Sequence, residues 1–172
     1  MRYKRLFIWV EGDDDIRFFD RIIKPVFEKK YNFVEVRACA QLKKKKIANF
    51  IKSIKAMKAD YIYVADINNS PCITAKKQKI KNIEQNRIII VIKEIESWYL
   101  AGLSSEDSEK FKIRPFKTTD NVNKEAFDKL RPKSFDSRLD FMLEILKYFS
   151  IEIAKEQNQS FKYFIKKYKL AD

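Results

Sequence analysis

Along the first ninety residues, short apolar runs alternate with longer amphipathic stretches. Leu6–Val10 (LFIWV) is strand-like and breaks at Glu11-Gly12. Asp13–Tyr31 follows helical spacing, with Ile16, Phe19, Ile23 and Phe27 on one face and three aspartates in the first turn, where the helix dipole favours negative charge. Pro25 should kink that helix or split it in two. Phe33–Arg37 predicts a second strand, and Leu42–Lys58 a basic helix turning Ile47, Phe50, Ile51, Ile54 and Met57 inward. Tyr61–Ala65 predicts a third strand ending at Asp66. Ser70-Pro71 offers an N-cap and a first-turn proline for a helix to about Ile83. Arg87–Ile92 (RIIIVI) is apolar throughout, the pattern of a strand covered on both faces.

Strands alternating with helices predict an α/β class, here a Rossmann-like, mostly parallel four-stranded sheet flanked by helices. After Lys93 the pattern turns helical. Ile95–Leu100 is a short helix closed by Gly102, and Ser104–Val122 is polar and loop-like. Helices are expected over Lys124–Leu130, Ser137–Phe149, Ile151–Gln157 and Phe161–Leu170, with Ser150 and Ser160 as caps. The expected division is an α/β core over 1–103 and a helical extension over 104–172, packed on the core.

Composition narrows the chemistry. The 172 residues include no histidine, which removes Ser-His-Asp triads, Cys-His nucleophiles and His-ligated zinc. Two glycines cannot build a GxGxxG or P-loop phosphate cradle. Cys39 and Cys72 lack metal-site spacing and read as buried reduced thiols of a cytoplasmic protein. No apolar run approaches a membrane span, and the opening MRYKRLFIWVEG reads as a strand rather than a signal peptide. Lys+Arg is 37 against 24 Asp+Glu, a formal charge of +13 that favours DNA or RNA as partner and no membrane.

The acidic residues fall where open parallel sheets bind ligands, beyond the carboxyl ends of strands. Glu11 ends the first strand and Asp15 lies one turn later. Asp66 ends the third, with Asn68 two residues on, and Glu94 and Glu96 follow the fourth. Converging carboxylates repel, and a hard divalent cation, Mg²⁺ or Mn²⁺, relieves that repulsion through oxygen ligands. Two such ions about 4 Å apart clamp a phosphodiester for in-line displacement. An acidic metal pocket in a strongly basic chain is the combination a nuclease needs, its cations gathering the phosphate backbone.

These residues resemble a known family. WVEGDDDIRFF is similar to the first motif of Toprim domains, a strand running into Glu-Gly with a carboxylate at E-x-x-x-D spacing. YVADIN resembles the second, D-x-D, motif, and VIKEIESWYLAG the third region of the OLD-type (overcoming-lysogenization-defect) branch. The resemblance covers roughly residues 5–103. It implies a Toprim-like α/β fold and metal-dependent phosphodiester chemistry, in a branch often linked to phage defence. It makes Glu11 the essential glutamate, Asp15 an added ligand, Asp66 the first Asp of D-x-D, and Glu94 and Glu96 the ligands of a second metal. Asn68 stands at the second Asp of D-x-D; its neutral carbonyl implies one ion held tightly and another weakly, or lost activity. OLD-type proteins often carry an ATPase, which here would be a separate subunit. A homo-oligomer stays open.

The cation candidates for the nucleic-acid backbone are Lys43, Lys44, Lys45 and Lys46, with Lys166 and Lys167. Lys93, Lys117 and Lys133 are candidates for a cation beside the metals. Two rivals stand beside the nuclease. One is a catalytically degenerate Toprim-shaped subunit that binds nucleic acid or a partner. The other is a receiver-type phospho-acceptor domain, which would also need a hydroxyl residue after the fourth strand and a Lys after a fifth.

Overall fold

A computed structural model describes residues 3–39, 42 and 44–170, the side chain of Lys44 excepted. The chain divides into two compact units, Met1–Ile90 and Val91–Asp172. The short helix after the fourth strand, grouped with the α/β core on its sequence, therefore clusters with the second unit.

β1 (Arg5–Val10), β2 (Phe33–Ala38), β3 (Asp60–Asp66) and β4 (Ile88–Val91), the last ending at the boundary of the first unit, form a parallel sheet in the order β2-β1-β3-β4. Arg5 pairs with Phe33 and Leu6 with Asp60, which fixes the register. Alternation along β1 gives each face its own core. Trp9 lies with Tyr61, Ala65, Ile88 and Ile90, and α3 (Lys44–Ala56) covers that face with Ile51 and Ile54. Leu6, Ile8 and Val10 point the other way, where Phe18, Phe19, Ile23 and Phe27 are also buried. Every residue of β4 is buried, as its unbroken apolar run predicts.

The first helix runs on through Pro25 but changes its winding just before it. α1 (Asp13–Phe18) widens into a π-helical turn over Phe19–Ile23, and α2 (Lys24–Phe27) restarts with the proline in its first turn. There the missing N–H costs nothing. The next cap differs from expectation. α4 (Ile73–Lys79) is capped by Cys72, whose Sγ accepts the Ala75 N–H at 3.4 Å, so Ser70-Pro71 lies before the helix rather than opening it. Cys72 is exposed, unlike the buried Cys39.

The second unit holds α5 (Glu96–Ala101), α6 (Ser105–Lys110), α7 (Lys124–Leu130), α8 (Arg138–Lys147), α9 (Ile151–Gln157) and α10 (Gln159–Tyr168). α6 lies in a stretch whose polarity argues for a loop; its signal is the Ser104 cap, which accepts the Asp107 N–H at 3.0 Å. Trp98, fully buried, packs edge-on to Phe161 and against Phe164. Gly102 does not end α5 in a left-handed turn, since its φ is −85°. Its role is room: a Cβ there would run into the Phe149 ring. α10 is capped by Asn158 rather than Ser160. Ser160 is buried instead, accepting the Trp98 indole N–H at 2.8 Å. Among the described residues no helix is long and apolar enough to cross a membrane.

Candidate metal and phosphoryl site

The strand order creates a switch point between β1 and β3, because the chain leaves β1 for one edge and returns through β3 to the other side. Parallel sheets bind ligands outside the carboxyl ends of such a pair. Glu11 follows β1 and Asp66 closes β3. The Asp66 backbone N–H donates to Glu11 Oε1 at 3.1 Å, so the Glu11 carboxylate reaches across the switch point to the end of β3. Asp15, buried in the first turn of α1, accepts the Gly12 N–H at 3.1 Å, which holds its carboxylate back against the β1–α1 turn. Asp13 and Asp14 continue along that turn, and Asp14 is paired with Arg17 at 2.6 Å.

Two residues at this rim carry little signal in the sequence. Cys39 follows β2, its N–H bonded to Val10 O at 2.8 Å, and its thiol is hydrogen-bonded by the Tyr63 hydroxyl. Burial pushes the Cys39 thiol upward in pKa against the opposing pull of that bond, and the Glu11 and Asp15 charges push it further. Burial likewise raises Tyr63, with Cys39 and Glu11 adding to it. Both groups stay protonated at neutral pH beside the carboxylates. The only sequence signal is alternation, which sets Tyr63 on the Trp9 face of the sheet.

Asn68 does not follow the alternation that would aim it beside Asp66. The strand ends at Asp66, a turn closes with Ser70 N–H on Ile67 O at 3.2 Å, and Asn68 is exposed with φ at 48°. Asn is among the few non-glycine residues that accept this left-handed conformation readily. The turn therefore gives a backbone reason for Asn at this position.

In the second unit, Glu94 Oε2 accepts the Lys124 N–H at 2.5 Å, at the start of α7. Glu96, only 4% exposed, is ion-paired with Arg138, which also holds Asp128 at 2.7 Å. Each of these glutamates thus has a structural partner within its own unit. Arg138, far off in sequence, carries no signal of this role.

Lys43 and the side chain of Lys44 lie outside the described residues. Lys45, Lys46, Lys93, Lys117, Lys133 and Lys166 are exposed, and Lys167 is half-buried between the rings of Tyr163 and Tyr168. Lys93 follows β4 with φ at 64°. Lys133 lines a hollow in the second unit together with Lys110 and Lys112.

Among the described residues, no three acidic or thiol side chains converge as a ready-made metal cage. The residue types at the switch point are nonetheless the oxygen donors that a hard divalent ion takes. Glu11, Asp15 and Asp66 offer carboxylate oxygens, and among the described residues no basic side chain pairs with Glu11. Compared with protein-family models, curated proteins and solved structures, the chain matches none significantly.

Proposed function

We propose that the chain is a divalent-metal-dependent nuclease of the OLD-type Toprim kind, acting on DNA or RNA, with any ATPase a separate subunit. The observation that supports this most is the Asp66 backbone N–H on Glu11 Oε1 at 3.1 Å, which holds the Glu11 carboxylate beside the end of β3 at the switch point of a parallel sheet. Glu11 and Asp66 would hold Mg²⁺ or Mn²⁺, with Asp15 able to join from the adjoining turn. Such an ion supplies Lewis-acid polarisation of a phosphodiester and a nucleophilic water at neutral pH. The chain's own part is positional. The Asp66 N–H fixes the Glu11 carboxylate, and the Gly12 N–H fixes that of Asp15. The neutral Cys39 and Tyr63 keep further charge away from the carboxylates. A formal charge of +13 draws the polyanionic substrate in.

The test is cleavage of supercoiled plasmid and of structured RNA with Mg²⁺, Mn²⁺ or EDTA. Metal-dependent cleavage lost in Glu11→Ala, with binding largely kept, supports the proposal; inertness with every metal overturns it. The second reading, a Toprim-shaped subunit that binds without cutting, is favoured by the Glu96–Arg138 pair, which engages a carboxylate assigned to a second metal. It predicts salt-sensitive binding with no cleavage under any of these conditions.

A further inference from the structure

At the amino end of the same sheet, opposite to the carboxylates, lies a hollow of about 460 Å³. Three chain segments close around it. Tyr3 and Lys4 before β1 join Arg5 at its start, the turn before β2 contributes Lys30 and Tyr31, and Lys58 before β3 joins Asp60, the first residue of β3. Four cations therefore face one carboxylate. Asp60 is already engaged, accepting the Tyr31 hydroxyl at 3.0 Å and an Arg87 N–H at 3.2 Å. The lining of the hollow thus carries a positive excess. A hollow lined in this way offers several cationic donors to one anion.

The details favour a phosphate over a carboxylate. Several cations around one hollow suit a group with three or four anionic oxygens. Arg5 is oriented as well as charged, its guanidinium lying over the Tyr3 ring at 5.2 Å. One N–H of the fork reaches Met57 Sδ at 3.9 Å, and the remaining N–H groups of the planar guanidinium suit phosphate oxygens. The Tyr3 ring is 58% exposed, yet its hydroxyl reaches Asn32 O at 3.4 Å. A tethered, exposed ring beside clustered cations is a platform for a nucleobase. The volume lies within the roughly 300–1,000 Å³ typical of small-ligand pockets.

We propose that this hollow binds a phosphorylated nucleoside, free or as the terminal nucleotide of a strand. β1 runs six residues from Arg5 to Val10, so the pocket stands roughly 17 Å from the carboxylate rim. It needs no metal and is independent of the nuclease reading.

The test is isothermal titration of the full chain in EDTA. The ligands are nucleoside 5′-monophosphates, inorganic phosphate, and a short oligonucleotide with and without a 5′-phosphate. Saturable one-to-one binding of the monophosphates is expected. Lys30→Gln/Lys58→Gln should weaken it about tenfold or more, while the charge-matched Lys129→Gln/Lys162→Gln, both at exposed positions, should leave it unchanged. Tyr3→Ala should weaken nucleotide binding but not phosphate binding. Tighter binding of the 5′-phosphorylated oligonucleotide assigns the site to strand ends, and tighter binding of the mononucleotide assigns it to free nucleotides. No saturable binding at millimolar ligand overturns the proposal, as does equal weakening by both double variants. Inorganic phosphate binding as tightly as the nucleotides overturns the nucleoside assignment. Titration of the unmutated protein should also shift the amides of Arg5, Lys30 and Lys58, and shifts confined elsewhere contradict the site.

Discussion

Asn158 uses every polar position of its side chain. Its Oδ1 accepts the Phe161 N–H at 3.0 Å and the Ser160 hydroxyl at 2.8 Å, while Nδ2 donates to Thr119 at 3.1 Å and Ser97 at 3.4 Å. All four partners are buried, so Asn158→Ala removes a helix cap and strands hydroxyls together. A loss of about 2–4 kcal/mol in urea-unfolding free energy is expected; a loss under about 1 kcal/mol would mean that water replaces the amide. Glu96→Gln separates two roles for one carboxylate. If the Arg138 pair is what it serves, the variant loses about 1–3 kcal/mol to the same extent with and without Mn²⁺. A loss seen only with Mn²⁺ would return Glu96 to the metal. Tyr31 carries a pH signature. Burial first, then the charge of its acceptor Asp60, pushes its pKa up to about 12. A raised pKa marks a fold that favours the protonated phenol, so this contribution is complete below the ordinary tyrosine value and is lost as pH rises towards about 12. The phenolate difference spectrum between the parent and Tyr31→Phe should therefore develop well above pH of about 10; a midpoint at the ordinary value would contradict the Asp60 bond.

At the scale of elements, what is legible in the sequence is what one chain segment decides alone. Apolar runs mark β1, β3 and β4, alternation marks β2, and the unbroken run of β4 marks its burial on both faces. Pro25 marks the change of winding in the first helix because its ring forbids a regular interior turn. Caps are less legible, since Ser, Asn, Cys and Pro near a helix start compete for one position. Cys72 displaces Ser70, and Asn158 displaces Ser160, whose hydroxyl serves Trp98 instead. α6 hides in a polar segment because six residues are too few to show an apolar face. At the site, strand ends bring Glu11 and Asp66 to one edge of the sheet, since parallel strands deliver their last residues there. Partners supplied by distant residues are invisible, as with Arg138 for Glu96. Asn68 departs from its expected place because alternation stops where the strand stops, at Asp66.

At the scale of the whole chain, each unit keeps its own buried aromatic core, Trp9 and Phe18 in the first and Trp98, Phe127 and Phe161 in the second. The acids at the β1–β3 switch point belong entirely to the first unit. The Asp66 N–H bond to Glu11 is a property of the α/β sheet itself. The claim that Glu11 and Asp66 form a divalent-ion site is tested most directly by titrating Mn²⁺ into the metal-free protein and following heat and melting temperature together, for the parent chain and for Glu11→Gln. Saturable Mn²⁺ binding with a rise in melting temperature in the parent, both strongly reduced in Glu11→Gln, is the predicted result. Absence of binding at millimolar Mn²⁺, or binding that Glu11→Gln leaves unchanged, would contradict it.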